Sequence, residues 1–429
     1  MPLLFYLMNI ISAKSINPLT NVIKFGIIYL MTIKREEQSM SINIIQEVRN
    51  NHETVVGWRR ALHQIPELGI ELPQTVAFVA EKLAEMGIAY EIYEDCSCVT
   101  ATIGKGGKCI LLRGDMDALP VKEESGLDFA SQTDLSHACG HDFHAASLLG
   151  AAKILKAHED ELPGTVKLIF QSGEEVFKGA AGAIRNGLME NPHVDAAFAT
   201  HVFAANPVNT VLYGKYMCAA VYGFKIRIQG KGAHGSSPEN GVDPLVVGAN
   251  ILLALQEIIA REIPAADEAV LTIGHFEGGM AANVVPDFAI LEGTLRAFKP
   301  EVKAYIMQRI TDISESIAKA YRASVTIEEL SNVPPVICDD SMIDMMVNSV
   351  KELGNGMNVC AGAHLMGSED FAFYAEQVPS VLCFMGAGVP DQSKWVGQHN
   401  PRIVFNEDIL ENEVAVYVKM ALDYLEKNK

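Results

Sequence analysis

The chain has 429 residues, of which 49% are hydrophobic and 20% charged, and this composition excludes a largely disordered protein. Its length exceeds what one compact core usually holds, so we expect two domains. Asp and Glu number 53 against 34 Lys and Arg, which gives a net charge of −19 with no basic cluster to offset it. Such a surface repels phosphate backbones, so we expect no nucleic-acid partner.

Residues 1–40 contain two short apolar runs, "MPLLFYLMNIISAK" and "FGIIYLMTIKREE". Each is shorter than the ~20 residues with which a helix crosses a bilayer. Neither has the basic start and the small-residue cleavage site of a secretory signal. We therefore expect residues 1–40 to form an extension outside the fold, without stable membrane insertion. A membrane-associated tail is the alternative.

The cysteines number 8 and are scattered along the chain without a CxxC pair. Dispersed cysteines in a large chain are typical of reduced thiols, so we expect a cytoplasmic location. Cys139 differs from the others because its neighbours are metal-binding residue types.

From residue 41 to 220, and again from 334 to 429, helical patterns alternate with compact apolar runs such as "KCILLRGDMDALP", "GTVKLIFQSGEE", "VDAAFATHV" and "VPSVLCFMGAG". This alternation predicts an α/β catalytic domain with a layered mixed or parallel sheet. Ligands of such sheets bind beyond the carboxyl ends of the strands. Three of the quoted runs end there in residues able to hold a metal: Asp115 and Asp117, Glu174 and Glu175, and His201.

The stretch "HACGHDFH", residues 137–144, precedes an apolar helical pattern. At a helix start Cys139 and His141 can both turn toward one ion, and the positive end of the helix dipole favours a thiolate. We interpret the stretch as part of a metal site in which Asp142 and His144 support the two ligands. A cysteine nucleophile with a histidine base and a polar helix-start loop are the alternatives.

Glu174 and Glu175 are adjacent carboxylates at the mouth of a predicted buried strand. Two such acids need a cation or a shared proton. A metal suits them, with one carboxylate as ligand and the other free as a base. His201 and His399 are isolated histidines, and each becomes a candidate metal ligand because the sequence offers so many other donors. One thiolate, several imidazoles and several carboxylates suffice for two divalent ions.

Residues 221–333 follow a different pattern, with strands and helices in the order βαββαβ. This order predicts a ferredoxin-like domain inserted into the larger one. His234 lies in the glycine-rich turn "GKGAHGSSP", Asn283 lies in "AANVVP", and Arg296 ends a predicted strand. Arg is the natural bidentate partner of a carboxylate. Taken alone, however, the three are typical of a turn histidine, a capping amide and a surface arginine.

The order of the motifs resembles that of the dinuclear metallo-aminoacylase and peptidase family. The resemblance spans nearly the whole chain after the N-terminal extension. It rests on "RGDMDALP", "HACGHDFHAA", "FQSGEE", "ATHV", "GKGAHGSSP", "NVVPD", "EGTLR", "MGSEDFAFY" and "QHNP". The branch it resembles contains hippurate hydrolase, N-acyl-L-amino acid amidohydrolase, the indole-3-acetyl-amino acid hydrolases and N-acetyldiaminopimelate deacetylase.

The resemblance implies roles for individual residues. Glu174 would be the general base, supported by Asp117. Asn283 and Arg296 would hold the free carboxylate and polar atoms of the substrate. The inserted domain would pair edge to edge into a homodimer, with a tetramer as the alternative, and His234 would act in the partner's active site. The metal ligands would be Cys139, His141, Glu175, His201 and His399.

The resemblance also implies the reaction. A metal-dependent amidohydrolase would cleave the amide bond of N-acyl-L-amino acids with metal-activated water, using two divalent ions, Zn or Mn before Co or Ni. N-acetyldiaminopimelate deacetylation and dipeptide cleavage are alternatives of the same chemistry. A non-catalytic metal-binding protein and a cysteine-nucleophile hydrolase, which a chelator would not inhibit, are alternatives of another kind. The preferred acyl group and amino acid stay open.

Overall fold

A computed structural model describes residues 42–429. The extension predicted over residues 1–40 lies outside the described residues. Residues Ile44–Lys429 form one compact unit, so the domain boundaries after residues 220 and 333 stay a prediction.

The helices of the described chain are numbered in order along the sequence. They are α1 Ile44–His63, α2 Pro73–Glu85, α3 His141–Ala157, α4 Gly179–Arg185, α5 Pro244–Glu257, α6 Pro300–Ala320, α7 Asp340–Leu353, α8 Ala372–Ala375 and α9 Ile409–Lys427. Asp339 caps the N-terminus of α7, because its carboxylate accepts hydrogen bonds from the backbone N–H groups of Ser341 and Met342.

The strands are numbered in the same way. They are β1 Tyr90–Tyr93, β2 Cys98–Gly104, β3 Cys109–Asp115, β4 Thr165–Gln171, β5 Ala196–Pro207, β6 Thr210–Tyr213, β7 Tyr216–Cys218, β8 Ala220–Gln229, β9 Ala233–His234, β10 Ala269–Gly278, β11 Val284–Val285, β12 Phe288–Ala297, β13 Ser324–Val333, β14 Val336–Ile337, β15 Asn358–Ala361 and β16 Ser380–Gly388.

The larger sheet has the order β1-β2-β4-β3-β5-β16-β6-β15. Its central strands β4, β3, β5 and β16 run parallel. Strand β2 is antiparallel to both of its neighbours, whereas β6 is antiparallel to β16 and parallel to β15. Every residue of β3 and β4 is buried, as apolar runs in a sheet covered on both faces require. The predicted mixed or parallel sheet is thereby confirmed.

Helix α3 explains how the sheet is covered next to the site. It is buried around nearly its whole circumference and contacts α1, α9 and β3, which fits a sequence that is apolar on all sides. Its first residue is His141, so the first half of "HACGHDFH" forms the loop before the helix and the second half forms its first turn.

A second, four-stranded antiparallel sheet has the order β10-β12-β8-β13. With α5 and α6 on one face, this is the ferredoxin-like arrangement predicted from the βαββαβ order. Its core combines apolar side chains of the strands with those of the two helices, among them Phe224, Ile226, Leu291, Ile251 and Ile306. We call residues 221–333 the insert.

Two features of the insert were not predicted. The short strands β9 and β11 pair with each other apart from the main sheet, and the last turn of the α5 segment, Ile258–Glu262, is a π turn.

Within the described residues, one helix, Pro244–Glu262, is long and apolar enough to cross a membrane, with a mean hydropathy of 1.4. Since this helix covers the sheet of the insert, length and composition alone are weak evidence for a span.

Candidate metal centre

The carboxyl edge of the larger sheet collects the acids predicted there. Asp115 is the last residue of β3, Asp117 lies two residues beyond it, and both are buried. Glu174 and Glu175 follow β4, the parallel strand beside β3. His201 lies within β5 rather than at its end, because that strand continues to Pro207. The convergence arises because neighbouring parallel strands end at one edge.

Two histidines each have one nitrogen fixed by a hydrogen bond and the other directed toward the cluster. His141 Nδ1 lies 3.2 Å from Asp117 Oδ1, and His141 Nε2 is buried with no hydrogen-bond partner among the described residues. His201 Nδ1 donates to the carbonyl of Val202 at 2.9 Å, and His201 Nε2 lies 3.5 Å from Cys139 Sγ. Metal-binding histidines are oriented in this way, with one nitrogen held by a carboxylate or carbonyl.

His144 is oriented differently. Its Nδ1 donates to Asp115, and its Nε2 accepts the backbone N–H of Val202 at 2.9 Å. Both nitrogens are engaged, so His144 offers no lone pair to an ion. Its ring centroid lies 4.7 Å from that of His201, which agrees with the supporting role expected for it.

Asp142 corrects a prediction. We expected it to support Cys139 and His141, but its carboxylate accepts hydrogen bonds from Arg59 at 2.7 Å and His63 at 2.8 Å. The reason is the geometry of a helix: Asp142 follows His141 directly in α3, and successive helical side chains point in different directions.

The loop carrying Cys139 requires a glycine. Gly140 has φ +95°, and a Cβ added there would lie 2.4 Å from Val202 Cγ2, so no larger residue fits between Cys139 and His141. The side-chain amide of Gln398, which sequence reasoning missed, donates to the carbonyls of Cys139 and Val202 at 3.0 and 2.9 Å.

His399 is attached to the same loop. Its backbone N–H donates to the carbonyl of Ala138 at 2.9 Å, and its backbone lies in the left-handed region with φ +66°. Such a conformation is uncommon for a residue other than glycine and tends to occur at functional sites. Nε2 of His399 lies 3.3 Å from Glu175 Oε1.

These side chains form overlapping groups of potential metal ligands. In each group the ligand atoms lie within 4.8 Å of one another. One group combines His201 of β5 with Cys139 and His141 at the start of α3. A second group also contains Cys139. Three of these groups are Cys139, His141 and His201; Cys139, Glu175 and His399; and His141, Glu174 and Glu175. A fourth joins Asp115, His141 and His144, but both nitrogens of His144 are already engaged.

The residues fit divalent cations. His141 Nε2 is buried without a hydrogen-bond partner among the described residues, and such an atom calls for a ligand. The donor set of thiolate, imidazole and carboxylate suits Zn and related ions. Cys139 belongs to two of the groups, so its sulfur could contact an ion bound by either group.

The two adjacent glutamates differ electrostatically. Burial raises the pKa of Glu174 well above its usual range, and the charges of Glu369 and Glu175 raise it further. Burial alone would also raise the pKa of Glu175, but its hydrogen bond with His399 and the charge of His141 hold that pKa below the ordinary value. Two carboxyls whose pKa values are pushed apart are suited to different tasks.

Burial also raises the pKa of the Cys139 thiol, against our expectation that the helix start would favour a thiolate. The thiol is buried next to His201, and this burial outweighs the charge of His141, which lowers the pKa of the thiol. Hydrogen bonds to Cys139 and Glu175 raise the pKa of His399 to about 10. A divalent cation would displace these protons, because metal ligands bind in their deprotonated forms.

Beside Glu174 lies a buried ion cluster that sequence reasoning missed. Arg113 Nη2 lies 2.7 Å from Glu369 Oε1 and 3.2 Å from Asp370 Oδ1, and Nη1 lies 2.7 Å from Asp115 Oδ2. Carboxylate oxygens of Glu174, Glu369 and Asp370 lie within 4.8 Å of one another. The alternation of β3 places Arg113 on the same face as Asp115, and that signal could have revealed the arginine.

A cavity of about 380 Å³, within the range of small-molecule sites, is lined by four of the five predicted metal ligands and by two further acids. These are Cys139, Glu175, His201 and His399, with Glu174 and Glu369. Arg296 of the insert also lines it. Its guanidinium donates to Thr294 Oγ1 and the carbonyl of Leu295, and no acid of the described residues pairs with it. The apolar lining comprises Phe177, Phe203, Leu365 and Phe384.

His234 and Asn283 lie elsewhere. They are neighbours through the β9–β11 pair, where Gly235 N–H donates to the carbonyl of Asn283 at 2.7 Å. Both are exposed, and neither lines the cavity of its own chain. His234 Nδ1 accepts from the backbone N–H and the hydroxyl of Ser236, which leaves Nε2 directed outward. Of the three insert residues singled out from the sequence, only Arg296 lies at the cavity.

The sequence model of peptidase family M20/M25/M40 matches residues 111–423. The chain belongs to this family. The predicted family resemblance is thereby confirmed.

Curated relatives extend over most of the chain. It is 35% identical to N-acetyl-L-cysteine deacetylase of Bacillus subtilis over 93% of this chain and 94% of that protein. It is 35% identical to IAA-amino acid hydrolase ILR1-like 4 of Arabidopsis thaliana over 86% of each chain. Hippurate hydrolase of Campylobacter jejuni is 34% identical and covers 90% of this chain and 100% of its own.

A solved structure agrees with these relatives. The Bacillus subtilis YXEP protein, described as a dinuclear metal-binding peptidase of the M20 family, superposes with a TM-score of 0.76 at 30% identity, covering 88% of this chain and 99% of its own. The chain is therefore a metal-dependent amidohydrolase of the M20 fold, and its ligand groups accord with two metal ions.

Proposed function

We propose that this enzyme hydrolyses the amide bond of N-acyl-L-amino acids, with Glu174 as the general base. The observation that carries this proposal is the arrangement around one cavity. It combines a buried carboxylate of raised pKa, the metal-ligand groups beside it, and an arginine that pairs with no acid in the described part of the chain. The deacetylase and hydrolase relatives, which are named for N-acyl or indole-acetyl amino acids, support the same substrate class.

The two ions would be held by five side chains. When bound, divalent cations would polarise the amide carbonyl and make water acidic enough to react near neutral pH. Zn or Mn suits the mixed donor set best, and Co or Ni also suits it. The ligands are Cys139, His141, Glu175, His201 and His399.

Glu174 would move the proton. It lines the cavity and contributes to a ligand group with His141 and Glu175. Its raised pKa allows it to accept a proton from the attacking water and to donate it to the departing amine nitrogen near neutral pH. Asp117 would hold His141 in the orientation that directs Nε2 to the cluster.

Arg296 would bind the free carboxylate of the substrate. A guanidinium without an acidic partner among the described residues can take a substrate carboxylate in a bidentate pair. This contact restricts cleavage to amides beside a terminal acid. N-acetyldiaminopimelate and dipeptides also meet that condition, so a panel of substrates has to decide between them.

We further propose a homodimer in which His234 and Asn283 serve the partner's cavity. Both are exposed and adjacent on the insert, away from the cavity of their own chain. Exposed apolar side chains nearby, such as Val284 and Phe288, suit contact with a second copy. The eight free cysteines support a reducing, cytoplasmic setting.

The test is hydrolysis of a panel of N-acetyl, N-benzoyl and indole-acetyl amino acids, dipeptides and N-acetyldiaminopimelate by metal-stripped and Zn- or Mn-loaded enzyme. We expect activity that requires metal and prefers N-acyl amino acids. Glu174→Gln should lower kcat by about 10²–10⁴-fold while metal content, measured by atomic emission, stays unchanged. Full activity of the stripped enzyme would instead support the cysteine nucleophile.

A further inference from the structure

The loop after Glu175 contains a backbone conformation that its sequence does not favour. Phe177 has φ +56°, in the left-handed region where an L-residue with a large side chain is strained and glycine is not. Elsewhere among the described residues, positive φ without glycine occurs at Ser97, Arg322 and His399, and His399 also lines the cavity.

Hydrogen bonds of the turn hold Phe177 in this conformation. Its N–H donates to the carbonyl of Glu174 at 2.9 Å, and the N–H groups of Lys178 and Gly179 both donate to the carbonyl of Gly173. The turn is closed so tightly that a Cβ on Gly179 would lie 1.6 Å from Ser172 O. The loop therefore carries the base and the strained phenylalanine as one rigid piece.

Core packing does not account for the side chain at this position. Phe177 is only half-buried, and it lines the cavity. Other apolar residues line the same cavity: Phe203 and Phe384 lie with ring centroids 4.9 Å apart, and each ring lies within about 6 Å of His201. A strained residue that faces a binding cavity is a candidate for function.

We propose that Phe177 determines acyl-group specificity, by packing against a flat apolar acyl group such as benzoyl. The inference rests on the proposed function. The carbonyl carbon that reacts must lie near Glu174, and the acyl group is bonded to that carbon. Phe177 belongs to the same hydrogen-bonded turn as Glu174, whereas Arg296, proposed to bind the carboxylate at the amine end, comes from the insert.

The test compares kcat/KM for N-benzoylglycine and N-acetylglycine in metal-loaded wild type, Phe177→Ala and Phe177→Gly. Both variants should lower the benzoyl-to-acetyl ratio by about tenfold, the size of effect expected for one apolar contact in a pocket. Phe177→Gly should melt at a higher temperature than Phe177→Ala, because glycine accepts the positive φ without strain.

Two variants serve as matched controls. Arg322→Gly relieves a positive φ at an exposed position remote from the cavity lining, so it should leave the substrate ratio unchanged. Val176→Ala shortens the exposed neighbour of Phe177 in the same loop and should leave the ratio unchanged as well. A lowered ratio in either control would mean that stability or the loop in general sets the ratio, which overturns the proposal.

A second substrate series separates the two ends of the substrate. With the acyl group fixed as benzoyl, replacing glycine by alanine or leucine should give the same relative kcat/KM values in wild type and Phe177→Ala. The proposal is wrong if the amino-acid series changes instead, or if the acyl ratio is unchanged or rises. Failure of wild type to cleave any substrate of the panel would refute the proposed function itself.

Discussion

The carboxyl edge of the larger sheet and the β9–β11 rim of the insert place their polar side chains in opposite surroundings. At the sheet edge Asp115, Asp117 and His141 are buried, and His141 has one nitrogen fixed and one directed to the cluster. On the rim His234 and Asn283 are exposed. The difference indicates that the chain itself orients the buried side chains of the edge. The rim side chains would, in the homodimer we propose, take their final environment from a second copy.

The largest stability effect should come from the buried cluster beside the base. Arg113→Leu would leave Asp115, Glu369 and Asp370 without their shared cation, and we expect a loss of about 3–5 kcal/mol in the free energy of unfolding. On the insert, Lys225 pairs with Glu292 at 2.9 Å with both side chains about one-third exposed, and Lys225→Ala should leave the free energy of unfolding nearly unchanged. Urea unfolding measures both, and equal losses would remove the contrast between the two regions.

A complementation experiment tests whether the rim serves another chain. His234→Ala alone should lower kcat by about 10²–10³-fold if His234 stabilises developing negative charge, with metal content unchanged. Mixing unfolded His234→Ala and Glu174→Gln chains and refolding them together should restore about a quarter of wild-type activity, since half of the dimers are mixed and each has one intact site. An inactive mixture that contains mixed dimers would contradict the shared site.

A smaller effect on metal affinity should show whether a residue orients a metal ligand or only contacts the substrate. Asp117→Asn leaves His141 in place but weakens the hold on its Nδ1, so metal affinity should fall by about 10–100-fold. Asn283→Ala, on the rim, should leave metal affinity unchanged and raise KM only. Zn titration against a chromophoric chelator measures the first effect, and a fall in metal affinity for Asn283→Ala would mean that the rim contributes to the ion sites.

The sequence predicted the α/β alternation of the larger domain, the order of elements in the insert and the position of the acids, because all three follow local patterns. Apolar runs that end in Asp or Glu predicted the carboxyl edge, and the βαββαβ order predicted the insert. Contacts between distant segments were not predictable in this way. Arg113 and Glu369 are 256 residues apart, and nothing in either local pattern selects the other as its partner.

The sequence also did not predict which groups the side chains of residues 137–144 contact. The sequence interpretation of "HACGHDFH" took His141 as a ligand and Asp142 and His144 as supporting residues, but it could not show which group each side chain contacts. The structure directs His141 toward the cluster, engages both nitrogens of His144, and turns Asp142 toward Arg59. The distinction depends on where a helix begins relative to the strand beneath it, and a one-residue shift of that start would exchange their roles.

The central position of β16 has a consequence for biosynthesis. This strand lies between β5 and β6 in the larger sheet, yet it is made after the whole insert. On the ribosome the insert can therefore fold as a contiguous unit while β5 still presents an open edge, and that edge favours association with other chains. We expect nascent chains that stop before residue 380 to depend on chaperones, and the enzyme to acquire its metal only when synthesis is nearly complete.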